Sequence, residues 1–118
     1  MGYILHQNKW SWGRAETIVV AEGFGLCRVS VEDEDKSVAW LTNLIVFDAM
    51  RRQGLGNRLL DIAIMRAAKM GAKILRLWVE EKNSWQREWY ERRGFVLTDK
   101  DFDEVVLEMD LKKHFNGH

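Results

Sequence analysis

A chain of 118 residues, 47% hydrophobic and 31% charged and without proline, reads as one globular domain spanning 1–118. Such a domain buries roughly two thirds of the surface its unfolded chain exposes, which excludes a disordered or low-complexity protein. Lysine plus arginine equals aspartate plus glutamate at 18 each, so no overall positive field recruits nucleic acid or an anionic membrane, and no apolar run approaches the roughly 20 residues of a membrane span.

The single cysteine, Cys27, has no partner for an internal disulfide. No basic segment followed by an apolar core opens the chain, and together these point to a reducing, cytoplasmic setting. Met1-Gly2 begins as a myristoylation signal would, but His6 stands where serine or threonine is required.

The first fifty residues read as strands and tight turns. Residues 3–5 are a weak strand candidate and 17–21 a better one. Glu22, Gly23, Phe24 and Gly25 then turn the chain into a strand over 26–31, which makes a hairpin. The acidic run at 32–35 is a solvated turn. A second hairpin leads into 38–47, which is apolar on nearly both faces and so suits a central strand. Leu55, Leu59, Leu60, Ala63, Ile64 and Ala67 recur at helical spacing, predicting a helix over 55–70 stopped at Gly71. A strand over 73–79 follows after a short link, so strand, helix and strand form a right-handed parallel crossover. A second helix spans 84–93, with Asn83 as its cap, Gln86 three residues on as in a capping box, and Gly94 as its stop. Residues 95–98 and 105–109 close the chain as a hairpin around a polar turn at 99–104, and the tail from 112 frays. The fold class is α+β: a mixed sheet with helices 55–70 and 84–93 packed on it.

The segment Arg51-Arg52-Gln53-Gly54-Leu55-Gly56 sits between the apolar strand and the first helix. The first N–H groups of a helix lack intrahelical acceptors and carry the positive end of its dipole, so they attract phosphate oxygens. Gly54 and Gly56 leave no side chain in the way. Loops of this composition also join strands to helices in proteins that bind nothing, so the turn alone is a weak signal.

Downstream, Asn83 is followed by Tyr90 seven residues later and then by Gly94-Phe95. An Arg-x-x-Gly-x-Gly turn paired with such a segment resembles the GNAT superfamily of acyl-CoA-dependent N-acetyltransferases, over about residues 38–110. The resemblance implies a sheet whose two central strands, 38–47 and 73–79, splay apart. It implies that the pantetheine arm of acetyl-CoA, the co-substrate, lies in that gap as a pseudo-strand on the backbone of Ile45, Val46 and Phe47. The pyrophosphate would rest on Arg51, Arg52, Gln53, Gly54, Leu55, Gly56 and Asn57. Asn83 would bond near the pantetheine, and Tyr90 would face the thioester sulfur. An ordinary strand ladder on the edge beside Val46 would be incompatible with that geometry. No metal is implied.

The chemistry follows from the groups. An amine must lose its proton to attack the thioester, and the departing thiolate must meet a donor. A thiol with a pKa of about 8.5 cannot readily take a proton from a phenol at about 10. Tyr90 therefore donates a hydrogen bond to developing charge, with transfer late or assisted by a lowered pKa. A backbone N–H near Val46 would stabilise the thioester oxygen.

Two departures from the family pattern stand out. No glutamate lies inside either central strand; Glu80 and Glu81 sit at the end of the second, where solvent exposure is the plainer reading. The front is also short, since about ten residues replace two helices that usually wall the acceptor site. An open cleft suits a protein or peptide amine; a second subunit closing it, as a homodimer, or a CoA-binding or protein-interaction module without turnover, are the alternatives. Six tryptophans either complete the core or line a subunit interface. Tyr90 as core packing and Asn83 as a mere cap also stay open. His6, His114 and His118 lack metal-ligand spacing.

Overall fold

The computed structural model describes residues 2–7, 14–23, 25–32, 34–47 and 54–116. Among them run, in chain order, β1 (Gly2–Gln7), β2 (Arg14–Glu22), β3 (Gly25–Glu32), β4 (Val38–Phe47), α1 (Leu55–Lys69), β5 (Ile74–Glu80), α2 (Ser84–Glu91), β6 (Val96–Asp101), β7 (Glu104–Asp110) and α3 (Leu111–Asn116). The strands form one mixed sheet in the order β2-β3-β4-β5-β7-β6, with β1 attached to β4. Both expected front hairpins are present, β2 with β3 and β3 with β4, each antiparallel. The crossover through α1 makes β4 and β5 parallel.

Alternation sorts the strand residues onto two faces. Cys27, Val29 and Val31 of β3, Ala39 and Leu41 of β4, Leu75, Leu77 and Val79 of β5, and Val105, Leu107 and Met109 of β7 share one buried cluster. Leu59, Leu60, Ala63, Ile64 and Ala67 of α1, with Tyr90 and Phe95, join that cluster. Both long helices therefore cover the same face of the sheet. On the opposite face a smaller cluster gathers Val38, Trp40 and Val106 around Trp78.

Helix ends are set by the chemistry of their last carbonyls. In α2 the N–H of Gly94 bonds to the carbonyl of Glu91 at 3.1 Å and that of Phe95 to the carbonyl of Tyr90 at 3.3 Å. These two bonds are the Schellman pattern that satisfies otherwise orphaned acceptors. The bond from Phe95 also folds the chain back so that its ring meets Tyr90 edge-on, 5.5 Å between centroids.

Two expectations at the C-terminal end need correction. The last hairpin turns at Phe102 and Asp103 rather than across 99–104, because the cross-strand pairing of β6 with β7 runs out to Asp101 and Glu104. The tail is a helix to Asn116 rather than frayed: Leu111 is buried and its N–H bonds to the carbonyl of Lys73, while Asp110 accepts the N–H of Lys113 at 3.0 Å. Among the described residues no helix is long and apolar enough to cross a membrane.

Candidate functional site

The parallel ladder between β4 and β5 is short. Val38 pairs with Ile74, Ala39 with Leu75 and Trp40 with Arg76, and there it stops. The reason lies two residues on. Across the β3–β4 pairing Val29 faces Leu41 but Arg28 faces Asn43, so Thr42 is an extra residue in β4. A bulge bends and twists the strand that carries it, which here carries β4 away from β5. The Thr42 hydroxyl, buried in the kink, donates to the carbonyl of Arg28 at 3.4 Å. The two central strands thus splay as expected.

The gap is not empty. β1 pairs antiparallel with the far half of β4, Gly2 opposite Phe47, Tyr3 opposite Val46, Ile4 opposite Ile45, His6 opposite Leu44 and Gln7 opposite Asn43. Residues 43–46 already pair with β3 on their other edge, Gly25 opposite Val46 through Arg28 opposite Asn43. A strand has only two edges, so β1 lies on the edge that faces β5. The expectation that Ile45, Val46 and Phe47 present that edge to a ligand is corrected to this extent: β1 makes the ladder there. A short strand can pair with any compatible edge, and its sequence does not name one.

α1 begins at Leu55 behind Gly54, whose φ of 72° is left-handed and suits glycine. No side chain from this N-cap bonds to the first turn, and the turn contains no acidic residue. Among the described residues no side chain caps its first N–H groups, which favour an anion. Gly56 is half-buried and Asn57 exposed, while Arg51, Arg52 and Gln53 lie outside the described residues.

A contact that sequence reasoning did not anticipate ties this turn to α2. Arg93 donates from Nε to Asn57 Oδ1 and from Nη1 to the carbonyl of Trp89 at 2.6 Å. Its guanidinium lies 4.0 Å from the centroid of the Trp89 ring. Burial and the charge of Arg92 both lower the Arg93 pKa. Asn57, Asp61, Arg92 and Arg93 line an open cavity of about 400 Å³ beside the start of α1. The signal was the Arg92-Arg93 pair, but pairing across 36 residues is not readable from local pattern.

Tyr90 is fully buried in the main core, its ring edge-on to Trp89 at 4.9 Å and to Phe95. Burial holds its pKa well above the ordinary phenol value. The lowered pKa that would have helped it surrender a proton is absent, because removing the phenolate from water disfavours the charged form. Asn83 is the cap of α2: its Oδ1 accepts the Gln86 N–H at 3.4 Å and its Nδ2 donates to Gln86 Oε1 at 3.2 Å.

On the sheet face away from the helices, Trp40 stacks on Trp78 at 5.8 Å. Trp40 Nε1 donates to Glu32 at 2.7 Å, and Arg76 links Glu108 to Glu32 beneath it. Glu81 is held by Lys100 at 2.9 Å, and Glu80 is exposed at the end of β5 opposite Glu104. Trp85 is 48% exposed; Trp10 and Trp12 lie outside the described residues. Among the described residues no group of histidine, cysteine, aspartate or glutamate side chains could hold a metal.

A mixed sheet opened at its centre by a bulge, with a glycine-led helix packed on β3 and β4 and a second helix on the same face, is the architecture that the resemblance to acyl-CoA acetyltransferases implies. Residues 14–97 match the acetyltransferase (GNAT) domain family, and the chain belongs to that family. It is 31% identical over 101 residues to an uncharacterised N-acetyltransferase of Methanocaldococcus jannaschii, a match spanning 74% of this chain and 42% of that protein. The fold is similar to that of a GNAT family acetyltransferase from Elizabethkingia anophelis with acetyl-CoA bound, at TM-score 0.68, 21% identity, 80% of this chain and 75% of the other. It is equally similar to the PaiA N-acetyltransferase of Thermoplasma acidophilum in complex with coenzyme A, at TM-score 0.68, 22% identity, 80% and 61%.

Proposed function

We propose that the chain is an N-acetyltransferase that moves an acetyl group from acetyl-CoA to an amine by direct attack on the thioester. The observation that carries this reading is the opening of β4 from β5 after Trp40, together with a helix N-terminus that no side chain caps among the described residues. Relatives of the same fold are bound to acetyl-CoA or coenzyme A, and nothing in the chemistry needs a metal. In this reading the pyrophosphate takes the amides from Gly54 to Asn57, and Arg51, Arg52 and Gln53, which precede them in sequence, belong to the same site. The pantetheine takes the edge of Ile45, Val46 and Phe47 that faces β5 once β1 has left it, and Asn83 stays a cap that fixes the entry of α2.

The amine nitrogen attacks the carbonyl carbon, a C–N bond forms as the C–S bond breaks, and the sulfur leaves as a thiolate. The nitrogen passes its surplus proton to water, with Glu80 the nearest strand-end carboxylate in sequence to the opening. A β4 amide near Val46 stabilises the oxyanion. Tyr90 donates a hydrogen bond to the thiolate and keeps its own proton. The acceptor amine, a peptide or protein amine among them, is set by the face of Trp40 and Trp78. The single cysteine, buried on β3, suits a reducing cytoplasm.

One observation favours a second reading. The β1 ladder on β4 would, if permanent, make the chain a non-catalytic module. Mixing the protein with acetyl-CoA and a panel of amines while following free thiol, alongside calorimetry with CoA, separates the two. Turnover supports the enzyme, and CoA binding without turnover of any amine supports the module. Gly54→Glu should weaken CoA binding at least about tenfold, because a carboxylate stands where phosphate would, whereas Gly54→Asn, which tolerates a positive φ, should not. Equal affinity in all three proteins would remove both readings.

A further inference from the structure

Residues 43–47 of β4 carry the backbone groups that the proposed coenzyme site needs, and β1 is the strand that holds them. The division of this edge is complementary: β5 takes it up to Trp40, and β1 takes it from Asn43 onward. We infer that β1 is an internal competitor of the pantetheine arm, a strand that closes the site by lying in it and must leave before coenzyme enters. This rests on the coenzyme reading above and adds the regulation of that site.

Three features make β1 suited to leaving. It is joined to one neighbour only, since among the described residues no ladder links it to β5. Its register slips between Ile4 and His6, so Leu5 is an extra residue and the ladder is interrupted in a strand of six. The rest of the sheet does not depend on it: β4 keeps β3 along its other edge and β5 at its base. A strand laddered to a single neighbour through an interrupted register belongs to the less stable part of a fold, where local opening occurs without global unfolding. Displacement is all-or-none along the edge, because the groups that would hold the pantetheine and those that would face the thioester oxygen lie in the same five residues. Coenzyme affinity is then reduced by the fraction of molecules in which β1 is out. Any event that draws β1 away, such as an acceptor or partner capturing it, raises coenzyme affinity by the same factor.

The test locks and releases β1 in the full chain. Gln7 and Asn43 are directly opposite, so Gln7→Cys with Asn43→Cys should close into a disulfide under mild oxidant, with Cys27 fully buried and out of reach. Calorimetric titration with CoA should show affinity at least about 100-fold weaker in the locked form and recovery on reduction. Adjacent strand residues aim their N–H groups to opposite edges, so Tyr3→Pro with Ile4→Pro must remove a ladder donor whichever way β1 faces. That variant should bind CoA at least about fivefold more tightly than the unmodified chain. Equal CoA affinity in the locked and reduced forms, or failure of the cysteine pair to close, would overturn the competitor strand and leave the coenzyme reading standing. Absence of CoA binding in every form, the proline variant included, would remove the coenzyme reading and the competitor with it. Should the proline variant fail to fold, the locked and reduced forms decide alone.

Discussion

Replacing Tyr90 by phenylalanine removes one oxygen and leaves the ring, so it separates chemistry from packing. The ring is fully buried between Trp89 and Phe95, and those edge-on contacts survive the change; native stability should fall by less than about 1.5 kcal/mol, the scale of one hydrogen bond. Burial holds the phenol pKa above its ordinary value, which makes full proton transfer to a thiolate more uphill than the roughly 2 kcal/mol of the unperturbed pair. In the proposed mechanism what remains for Tyr90 is a hydrogen bond to a charged sulfur, worth about 1.5 to 3 kcal/mol. At 1.36 kcal/mol per factor of ten, Tyr90→Phe should lower kcat by about 10-fold to 10²-fold. The assay is thiol release at saturating acetyl-CoA, with CoA affinity measured separately and expected to hold within about threefold. A rate within about twofold of the unmodified protein would refute the assignment, and the hydroxyl would then be a core group only. A loss above about 10⁴ would refute the argument from the raised pKa, since only proton transfer accounts for so much.

The same burial predicts an alkaline limb of stability. The unfolded tyrosine ionises near pH 10 while the folded one stays protonated, so above that pH the unfolded state binds fewer protons and stability falls by up to about 1.4 kcal/mol per pH unit; urea melts between pH 9 and 11 should show the slope lessened in Tyr90→Phe. Gly25→Ala should lower stability by more than about 2 kcal/mol in thermal or urea melts, because a Cβ there would meet the Ile45 carbonyl oxygen at 2.1 Å and Leu59 at 2.8 Å. Asn83→Ala should lower stability by about 1 kcal/mol through the lost cap, with KM for acetyl-CoA unchanged; a rise in KM at constant stability would instead assign Asn83 to the coenzyme.

Regular alternation and helical spacing made most of this fold legible. Residues 38–47 read as a central strand because both faces are apolar, and the structure puts β3 and β5 on either side of it. Leu59, Leu60, Ala63, Ile64 and Ala67 read as a buried face and are one. Asn83 and Gln86 read as a cap because that interaction is local. What was not legible depends on partners distant in sequence. Thr42 in an apolar strand gives no hint that it is the extra residue, since a bulge exists only relative to a neighbour's register. Leu111 to Asn116 carries too few apolar residues to announce a helix, and it exists because Leu111 docks on the core beside β5. The placement of β1 was least readable, since residues 3–5 satisfy a strand pattern that fits the free edge of β2 as well as the inner edge of β4.

The direction from which an acceptor reaches the thioester follows from where the helices are. α1 and, through Tyr90, α2 bury the face of Leu41 and Leu77, so a thioester lying between the diverging strands, as proposed, would be closed to solvent from that side. In the proposed reaction an amine would approach from the face of Trp40 and Trp78. There the stacked indoles and the Glu32, Arg76 and Glu108 pairings form a rigid floor, and rigid floors position a substrate better than loops do. In the proposed reaction, acceptor specificity would therefore reside in residues of odd register on β4 after the bulge and even register on β5. Asn43 and Ile45 occupy the first, Trp78 and Glu80 the second. Without the Thr42 bulge Asn43 and Ile45 would point into the core with Leu41, so one inserted residue both parts β4 from β5 and turns Asn43 and Ile45 onto the face of Trp40 and Trp78, where the proposed reaction needs its acceptor.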